Sequence, residues 1–369
     1  MSGIHQFVPM LHVGDAVGRH TVAVQSVLLA RGYESEIYVE LEDEETAART
    51  RPAASYAAGA PGDDLLVYQF ATASDLAGLL IGRPERLVVN YHNVTPAHLF
   101  APWDNGLARH QDRARAELGG LARRAALGVA VSELNRADLV ALGFAATAVV
   151  PPVVDLADPG ASSPRPARRR GARWLSVGRL APNKAVEDTI AALLAYRARF
   201  DPEAELEVVG KPALPAYSAA LRAYAAELGL AGAVHFAGRV DDAALAAAYD
   251  GADVLVVSSE HEGFCLPVVE AMAHGVPVVA FDEGALGEVL GDAGVLLNAK
   301  DPLTVAEAVH RVQHDEGWRA GLVAAGRRRL PALRLAEAGP MLADLLVAAQ
   351  GAAPWPGSVA VRAQGAPGR

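Results

Sequence analysis

Short runs of apolar residues alternate along the chain with longer stretches whose apolar residues recur at helical spacing. In the first half, the runs typical of strands are HQFVPML, SEIYVEL, DLLVYQF, RLVVNYHN, LGVAVS and TAVVPPVV. In the second half, they are WLSVGRL, AELEVVG, AVHFAGRV, ADVLVVSS and VPVVAFD. A strand–helix alternation of this kind predicts parallel sheets that are covered by helices on both faces.

One change of composition divides this alternation. The segment 155–173, DLADPGASSPRPARRRGAR, is rich in Pro, Gly, Ser and Arg and is typical of a linker. We therefore predict two Rossmann-like domains, at 1–160 and 161–335, with parallel sheets that face each other across a cleft. A C-terminal helix at 336–350 is a candidate to pack back on the N-terminal domain, and 351–369 is predicted to be a flexible tail.

Composition and charge limit the function classes. The net charge of −10 argues against a nucleic-acid-binding protein, which normally presents a basic face. The 369 residues include one cysteine, Cys265, so an internal disulfide framework is excluded and a reducing compartment is favoured. The N-terminus lacks the features of a signal peptide, and the chain has no apolar run long enough to cross a bilayer. We expect a soluble cytoplasmic protein.

A cluster of arginines in one helical stretch raises the question of membrane contact. The stretch LARHQDRARAELGGLARRAALG contains Arg109, Arg113, Arg115, Arg123 and Arg124. A basic amphipathic helix can bind an anionic membrane surface. The interspersed acidic residues favour a solvated helix instead, so peripheral contact at the inner membrane face is the weaker hypothesis.

Two glutamates lie on either side of a turn in EHEGFCLPVVEAMAHG. Glu262 falls in the loop after the strand ADVLVVSS, and Glu270 falls in the first turns of a helix that we expect to begin at Pro267. Ligands of open α/β sheets bind at the carboxyl edge of the strands, where this loop lies. Gly263 lets the backbone approach a ligand closely. Carboxylates that accept hydrogen bonds, beside backbone donors, suit a polyhydroxylated ligand.

Several segments resemble one known family. EHEGFCLPVVEAMAHGVPVVA resembles the E-x7-E signature of the retaining glycosyltransferases of family 4, which have the two-domain GT-B fold. VGRLAPNKAVEDTI resembles the segment that brings an arginine and a lysine to the donor diphosphate. HVGDAVGRHTVAVQSVLLARGYESEIY, VNYHNVTPAHLF and VSELNRADLVALGF resemble the glycine loop, the histidine segment and the closing strand and helix of the N-terminal domain. These motifs follow the order of the family from about residue 10 to about residue 300.

The resemblance implies roles for particular residues. Glu270 would bind the ribose hydroxyls of the nucleotide, Glu262 the transferred sugar, and Arg179 with Lys184 the diphosphate. The implied donor-binding set is Gly14, Gly18, Arg179, Lys184, Val240, Glu262, Gly263, Phe264, Cys265, Leu266 and Glu270. The implied catalytic set is His92, Glu262, Arg179 and Lys184, with Asn93 and Thr95 as weaker candidates for the acceptor. The residues 284–286, Asn135 and Lys211 are more peripheral candidates.

Each assignment has a plainer alternative. Glu270 could serve only as a carboxylate that complements the helix dipole, Glu262 as a solvated loop residue, and Arg179 with Lys184 as surface charges. GDAVG is neither a dinucleotide fingerprint nor a P-loop, so it could be an ordinary loop and helix cap. The chain also departs from the family at Ala185, where glycine often follows the diphosphate lysine, and at Cys265, where glycine or another small residue is usual. Both changes could alter donor fit.

The chain contains no D-x-D sequence, so the usual ligands of a metal–diphosphate clamp are missing. We predict that cationic side chains replace the metal, because they stabilise the charge that develops on a departing diphosphate. Retention by double displacement needs a carboxylate on the far face of the sugar, and no residue stands out for that role. The resemblance implies instead a front-face reaction in which the leaving phosphate helps to deprotonate the acceptor hydroxyl.

The predicted function is therefore metal-independent transfer of a hexose-type sugar from a nucleoside diphosphate donor, UDP slightly favoured over GDP, to an acceptor hydroxyl. The acceptor could be a glycan, a glycolipid or a small metabolite, and no other cofactor is expected. A sugar-nucleotide 2-epimerase of the same architecture and a non-catalytic nucleotide-sugar or glycan-binding protein are the alternatives. The sugar, nucleotide, acceptor, linkage and oligomeric state stay open.

Overall fold

The computed structural model describes residues 3–12, 14–57, 64–154 and 171–351. Most of the predicted linker and nearly all of the predicted tail therefore lie outside the described residues. Contacts between backbones divide the chain into two compact units. Unit 1 comprises the described residues within Met1–Ala97, Gly106–Asp155 and Arg334–Arg369, and unit 2 those within His98–Asn105 and Leu156–Leu333.

The described part of unit 1 contains a parallel sheet of seven strands. The strands are β1 (Ile4–Val8), β2 (Ile37–Val39), β3 (Thr50–Pro52), β4 (Leu65–Phe70), β5 (Arg86–Tyr91), β6 (Leu127–Ala130) and β7 (Thr147–Val149). They are ordered β3-β2-β1-β4-β5-β6-β7 across the sheet. The helices between them are α1 (Ala16–Ala30), α2 (Leu76–Ile81), α4 (Asn105–Ala122) and α5 (Glu133–Ala141). The short helix α3 (Ala97–Phe100) also lies between β5 and β6 in the chain, but most of it belongs to unit 2.

Unit 2 repeats the plan with six described parallel strands. The strands are β8 (Arg173–Val177), β9 (Glu205–Val209), β10 (Val234–Gly238), β11 (Val254–Val257), β12 (Val278–Phe281) and β13 (Val295–Leu297), in the order β10-β9-β8-β11-β12-β13. The helices are α6 (Val186–Arg199), α7 (Pro215–Glu227), α8 (Asp242–Gly251), α9 (Leu266–Ala273), α10 (Leu286–Leu290), α11 (Pro302–His314) and α12 (Glu316–Ala332). Short 3-10 turns occur at Ala47–Arg49, Ala53–Ser55 and Pro182–Lys184.

The central strands of unit 1 are buried on both faces, as their unbroken apolar runs predict. Alternate side chains of β4 enter two different cores: Tyr68 and Phe70 pack with one cluster, and Leu65 and Val67 with the other. The two faces of the sheet are therefore both covered, which confirms the predicted α/β class.

All eleven predicted apolar runs contain a strand, and two short edge strands were missed. The missed strand β3 ends in Pro52, whose lack of a backbone N–H makes it a poor strand residue except at a sheet edge. The missed strand β13 has only three residues, all half-buried. Edge strands bury less side-chain surface, so their pattern is weaker.

Two helix starts differ from the prediction. Helix α1 begins at Ala16, inside the stretch that we expected to be a loop, because Asp15 caps it by accepting a hydrogen bond from Gly18 N. Helix α9 begins at Leu266, so Pro267 occupies its second position rather than its first. In the part of the chain that the structure describes, none of the helices is both long and apolar enough to cross a membrane.

The last helix, α13 (Leu335–Gln350), belongs to unit 1. Ala338, Leu342 and Leu346 are buried in the same core as Leu28 of α1 and Val67 of β4. Arg31, the C-cap of α1, also donates to Asp344 Oδ1 at 2.5 Å and to the Pro340 carbonyl at 3.2 Å. The C-terminal end of the described chain therefore helps to form the first core.

We predict that Leu342→Ala destabilises the protein by about 2–5 kcal/mol, because Leu342 is fully buried and its removal leaves a cavity. The measurement is urea unfolding followed by circular dichroism. Leu29→Ala is the matched control, since Leu29 is 53% exposed on α1 and its truncation should cost less than about 1 kcal/mol. Equal losses in the two variants would contradict the packing of α13 in this core.

Candidate functional site

Three candidate residues of unit 2 lie in the segments that leave the sheet where its strand order reverses. Strand β8 lies between β9 and β11, so the chain leaves β8 and β11 in opposite directions across the sheet. The carboxyl ends of two such strands leave a crevice between the loops that follow them, and ligands of open α/β sheets bind there. Arg179 and Lys184 follow β8, and Glu262 follows β11.

Lys184 and Glu262 form a direct ion pair at this crevice. The Lys184 Nζ donates to Glu262 Oε1 at 2.5 Å, and the side chains are only 19% and 8% exposed. Ser259 Oγ donates to the same carboxylate oxygen at 2.8 Å. A buried carboxylate is thus matched with a cation and a hydroxyl, which avoids the large cost of an unpaired buried charge.

The electrostatics keep this lysine charged. Burial on its own lowers the pKa of Lys184, but the Glu262 carboxylate outweighs burial, so the pKa of the ammonium is raised. Arg179 lowers the pKa of Lys184, as expected for a second positive charge nearby. Burial, followed by the charge of Glu262, raises the pKa of the Cys265 thiol well above its ordinary value. The crevice therefore contains two cations, one carboxylate and a neutral thiol.

The backbone of the Glu262 loop is held from two sides. Ala285 N donates to the Glu262 carbonyl at 2.9 Å, and Gly284 lies so close that a Cβ there would stand 2.5 Å from the same carbonyl oxygen. From the other side, Asn183 Nδ2 donates to the His261 carbonyl at 3.2 Å, and Glu260 N donates to the Asn183 carbonyl at 2.8 Å. The loop after β11 is therefore fixed by its neighbours.

Glu270 is positioned by a tyrosine from a different helix. It is half-buried on α9, and Tyr249 of α8 donates its hydroxyl to Glu270 Oε2 at 2.8 Å. Tyr249 is 1% exposed and stacks on His274, whose Nδ1 lies 2.8 Å from Asp250 Oδ1. Glu270 is thus oriented by a side chain of α8.

Left-handed backbone conformations occur next to several of the candidate residues. Among the described non-glycine residues, positive φ angles occur at Asn93 (90°), Ala185 (45°), Cys265 (70°) and Arg334 (55°). Ala185 follows Lys184 and caps α6, and Cys265 caps α9. A side chain in this region costs about 1–2 kcal/mol relative to glycine. Ala185 and Cys265, the two departures from the family that the chain resembles, therefore occupy positions where glycine would fit without strain.

In unit 1, His92 follows β5 and is held by a buried polar network. Its Nε2 lies 2.7 Å from Gln69 Oε1, and its ring makes an edge contact with His20 at a centroid distance of 4.7 Å. Asn90 Nδ2 lies 2.9 Å from the same Gln69 oxygen and 2.7 Å from His20 Nε2. Burial lowers the pKa of His92 to about 4, and burial with the nearby His92 ring holds the pKa of His20 well below its ordinary value. Both imidazoles are neutral at physiological pH.

The other predicted residues are more dispersed. Gly14 is exposed ahead of α1, and Gly18 is buried in its first turn. Phe264 and Leu266 are buried beside Cys265, whereas Val240 is half-buried between β10 and α8. The remaining candidates are the half-buried Asn93 and Thr95, the exposed Lys211 and the buried Asn135 at the start of α5.

Three of the five arginines in the stretch 107–128 make contacts inside unit 1. In α4, Arg113 pairs with Asp75 and Glu117, and Arg115 binds both oxygens of Asp138. Arg124, which follows the end of α4, donates to the carbonyls of residues 83 and 85. Peripheral membrane contact stays a prediction.

Several residues of the site had not been predicted. Ser259, Asn183 and Tyr249 orient the Glu262 loop and Glu270, and Gln69 and His20 surround His92. The available signals were weak: a tyrosine in the alanine-rich stretch AALAAAYDG, and single polar residues inside apolar strand runs such as LLVYQF. Their partners are distant in sequence, so no local pattern connects them.

The fold is shared with proteins of known structure. Two parallel α/β sheets of this topology are the GT-B fold of glycosyltransferases of known structure, including the lipopolysaccharide glycosyltransferase WaaG. HepE from Anabaena, solved in complex with UDP-glucose, superposes with a TM-score of 0.70 at 17% identity over 94% of this chain and 100% of its own. At such an identity the likeness establishes the fold alone.

Sequence comparison adds a match within the second unit. Residues 171–315 match the family described as Glycosyl transferases group 1. A D-inositol 3-phosphate glycosyltransferase from Geodermatophilus obscurus is 37% identical over 196 residues, covering 50% of this chain and 43% of the relative. A phosphatidyl-myo-inositol mannosyltransferase from Mycolicibacterium smegmatis is 39% identical over 166 residues, covering 44% and 41%. The matches thus span less than half the length of these relatives.

We predict that Gly284→Ala displaces the Glu262 loop and costs at least about 1 kcal/mol more than a strained backbone alone, because its Cβ would overlap the Glu262 carbonyl. Gly229→Ala is the matched control: Gly229 has a similar φ of 72°, and its Cβ would meet no described atom within 4 Å. The free energy of unfolding of both variants is measured by urea denaturation. If Gly284→Ala is no less stable than Gly229→Ala, the close approach of the two loops is wrong.

Proposed function

We propose that this protein is a retaining glycosyltransferase that moves a hexose from a nucleoside diphosphate sugar to an acceptor hydroxyl without a catalytic metal ion. The observation that supports the proposal most is the buried Lys184–Glu262 pair at the strand-order reversal of unit 2. A cation and a carboxylate side by side provide the two contacts that such a donor needs, one for phosphate and one for sugar hydroxyls. The family match over 171–315 supports the same class.

Lys184 and Arg179 would receive the diphosphate. As the bond between sugar and phosphate breaks, negative charge grows on the leaving oxygens, and fixed cations stabilise that charge more than the charge of the bound donor. Lys184 is already held in place and charged by Glu262, so little reorganisation is needed when the donor arrives. Arg179 is exposed, and its planar guanidinium can bind two phosphate oxygens at once.

Glu262 and Glu270 would bind the two hydroxyl-rich parts of the donor. Lys184 and Ser259 both donate to Glu262 Oε1. The other carboxylate oxygen of Glu262, Oε2, is suited to a sugar hydroxyl. Glu270 is oriented by Tyr249 and would accept from the ribose hydroxyls. His92, which is neutral, would hydrogen-bond to a hydroxyl of the transferred sugar from unit 1.

The reaction would proceed on one face of the sugar. The departing phosphate, stabilised by the two cations, takes the proton of the acceptor hydroxyl as the new bond forms on the side that the leaving group vacates. In the described residues, no cluster of three or more His, Cys, Asp and Glu side chains is arranged to hold a metal ion. The cationic pair supplies the charge stabilisation that a metal provides in other enzymes.

UDP is slightly favoured over GDP as the nucleotide. The Anabaena structure with UDP-glucose supports UDP and a hexose, and the mannosyltransferase relative keeps mannose among the hexoses to be tested. The acceptor is a glycan, a glycolipid or a small metabolite. An inositol phosphate is a reasonable first acceptor, because the Geodermatophilus relative is named for one.

We predict opposite effects on UDP affinity from the two halves of the ion pair. Lys184→Met should weaken UDP binding at least 10-fold, because a charge-assisted contact to phosphate is lost. Glu262→Gln should bind UDP at least as tightly as the native protein, because Lys184 no longer shares its charge with a carboxylate, yet sugar transfer should fall by about 10²-fold or more. Calorimetric titration gives the affinities, and donor consumption with acceptor gives the rates.

The exposed cation Arg328, 67% exposed in unit 2, provides the matched control as Arg328→Met. This variant should bind UDP and transfer sugar like the native protein. Unchanged UDP affinity in Lys184→Met would refute the assigned diphosphate site. Binding of the donor by the native protein with no turnover on any acceptor would favour the non-catalytic alternative.

A screen of nucleotides tests the donor and the metal together. We expect UDP to raise the melting temperature more than GDP at equal concentration, since a ligand of the folded state stabilises it by mass action. Transfer should proceed at an unchanged rate in EDTA, because Lys184 and Arg179 replace the cation. A rate that vanishes in EDTA and returns with Mg²⁺ or Mn²⁺ would contradict the metal-independent mechanism, and a larger shift with GDP would reverse the nucleotide assignment.

A further inference from the structure

A row of buried amides crosses the three central strands of unit 1 at their carboxyl ends. Each apolar run contains one such residue: Gln6 in β1, Gln69 in β4 and Asn90 in β5, all at most 1% exposed. Their neighbours on the same face of the sheet, such as Val67, belong to a hydrophobic core. Burying three amides where aliphatic side chains would pack costs desolvation free energy, which suggests a role beyond packing.

The hydrogen bonds of the two glutamines in this row have a fixed direction. Gln6 Nε2 donates to the backbone carbonyl of Thr21 in α1 at 3.0 Å, and a carbonyl can only accept. The other end of that amide, Gln6 Oε1, therefore has to accept, and Gln69 Nε2 donates to it at 2.7 Å. Gln69 in turn presents Oε1, not its amino group, to His92. One carbonyl of α1 thus sets the orientation of both glutamines.

The orientation of Gln69 determines which ring nitrogen of His92 carries the hydrogen. Since Gln69 Oε1 can only accept, His92 Nε2, 2.7 Å away, has to carry the hydrogen and donate it. A neutral imidazole carries one hydrogen on its two ring nitrogens, so Nδ1 is left with a lone pair and acts as an acceptor. Among the described residues, the titratable group in ring contact with His92 is His20, whose ring is also neutral.

We propose that Gln69, oriented by Gln6 and the Thr21 carbonyl, is a positioning residue that keeps His92 in its Nε2–H form, so that Nδ1 accepts a hydrogen bond from a hydroxyl of the donor sugar. His92 then selects for a hydroxyl that can donate, and it does not act as a general acid. The assignment of the tautomer stands on unit 1 alone; the contact with the sugar rests on the proposed function.

The tautomer is measured directly by ¹⁵N NMR of the imidazoles in the full chain at pH 7, with the His92 signals assigned from a His92→Asn spectrum. We expect the native protein to show neutral His92 with its hydrogen on Nε2. Gln69→Leu removes the acceptor, and the two tautomers should then mix. The donor kcat/KM should fall about 10-fold or more in this variant, with a smaller change in UDP affinity.

A variant without any contact to His92 gives the sharper test. Gln6→Leu leaves Gln69 in place but removes the link to Thr21, so Gln69 can turn and the fraction of the Nε2–H form should fall. Gln6→Met, of similar length, serves if the leucine variant does not fold. Gln25→Leu is the matched control: its amide donates to the Ser35 carbonyl at 2.8 Å in the same unit, and the His92 signals should not change.

Fluorinated donors test the contact with the sugar. A donor in which fluorine replaces the hydroxyl that meets Nδ1 should lose at least 10-fold in kcat/KM, because fluorine cannot donate, and this penalty should disappear in His92→Ala. An Nδ1–H or charged His92 in the native protein, or an unchanged tautomer in both Gln6 variants, would overturn the positioning role. The expected tautomers without any sugar transfer would instead refute the proposed function and leave the positioning inference intact.

Discussion

The arrangement of unit 2 depends on the buried ion pair between Lys184 and Glu262. A charged group that is removed from water has to be matched by a partner of opposite charge, and removing one member of a buried pair typically costs about 3–5 kcal/mol. The loop after β8 and the loop after β11 are therefore held together, 78 residues apart in sequence, at the reversal of strand order. That is also where an open α/β sheet has room for a ligand.

The surrounding backbone is adapted to this pairing at a local cost. Ala185 and Cys265 adopt left-handed conformations that favour glycine, and both begin helices whose neighbours form the crevice. Gly284 allows the Glu262 loop to approach where a side chain could not fit. Strain of this kind persists only where the surrounding contacts determine the conformation, and such positions are common at functional sites. The crevice is thus preorganised before any ligand is bound.

Unit 1 is subject to a different constraint: its buried neutral polar groups need hydrogen-bond partners. Gln6, Gln69 and Asn90 interrupt an otherwise apolar sheet, and their hydrogen bonds pass from the Thr21 carbonyl to His92. In a dry interior each amide has to find a partner, so the orientation of one determines the next. Burial keeps His92 neutral, with a pKa of about 4, in contrast to the fully charged pair in unit 2.

The sequence by itself determined the α/β class and eleven of the thirteen described strands, because strand periodicity is a local property. Glu262 was a candidate from its place after a strand, and Lys184 from the family resemblance of its segment. The sequence pattern missed the edge strands β3 and β13. Both strands are short and their side chains are half-buried or exposed, so they produce little pattern. Only the tertiary structure decided that Lys184 binds Glu262 directly, that Tyr249 orients Glu270 and that Gln69 faces His92. The reason is physical: hydrophobic spacing specifies which face of a strand or helix is buried, whereas the partner of a buried polar group is set by chain segments that meet only after the sheet has formed.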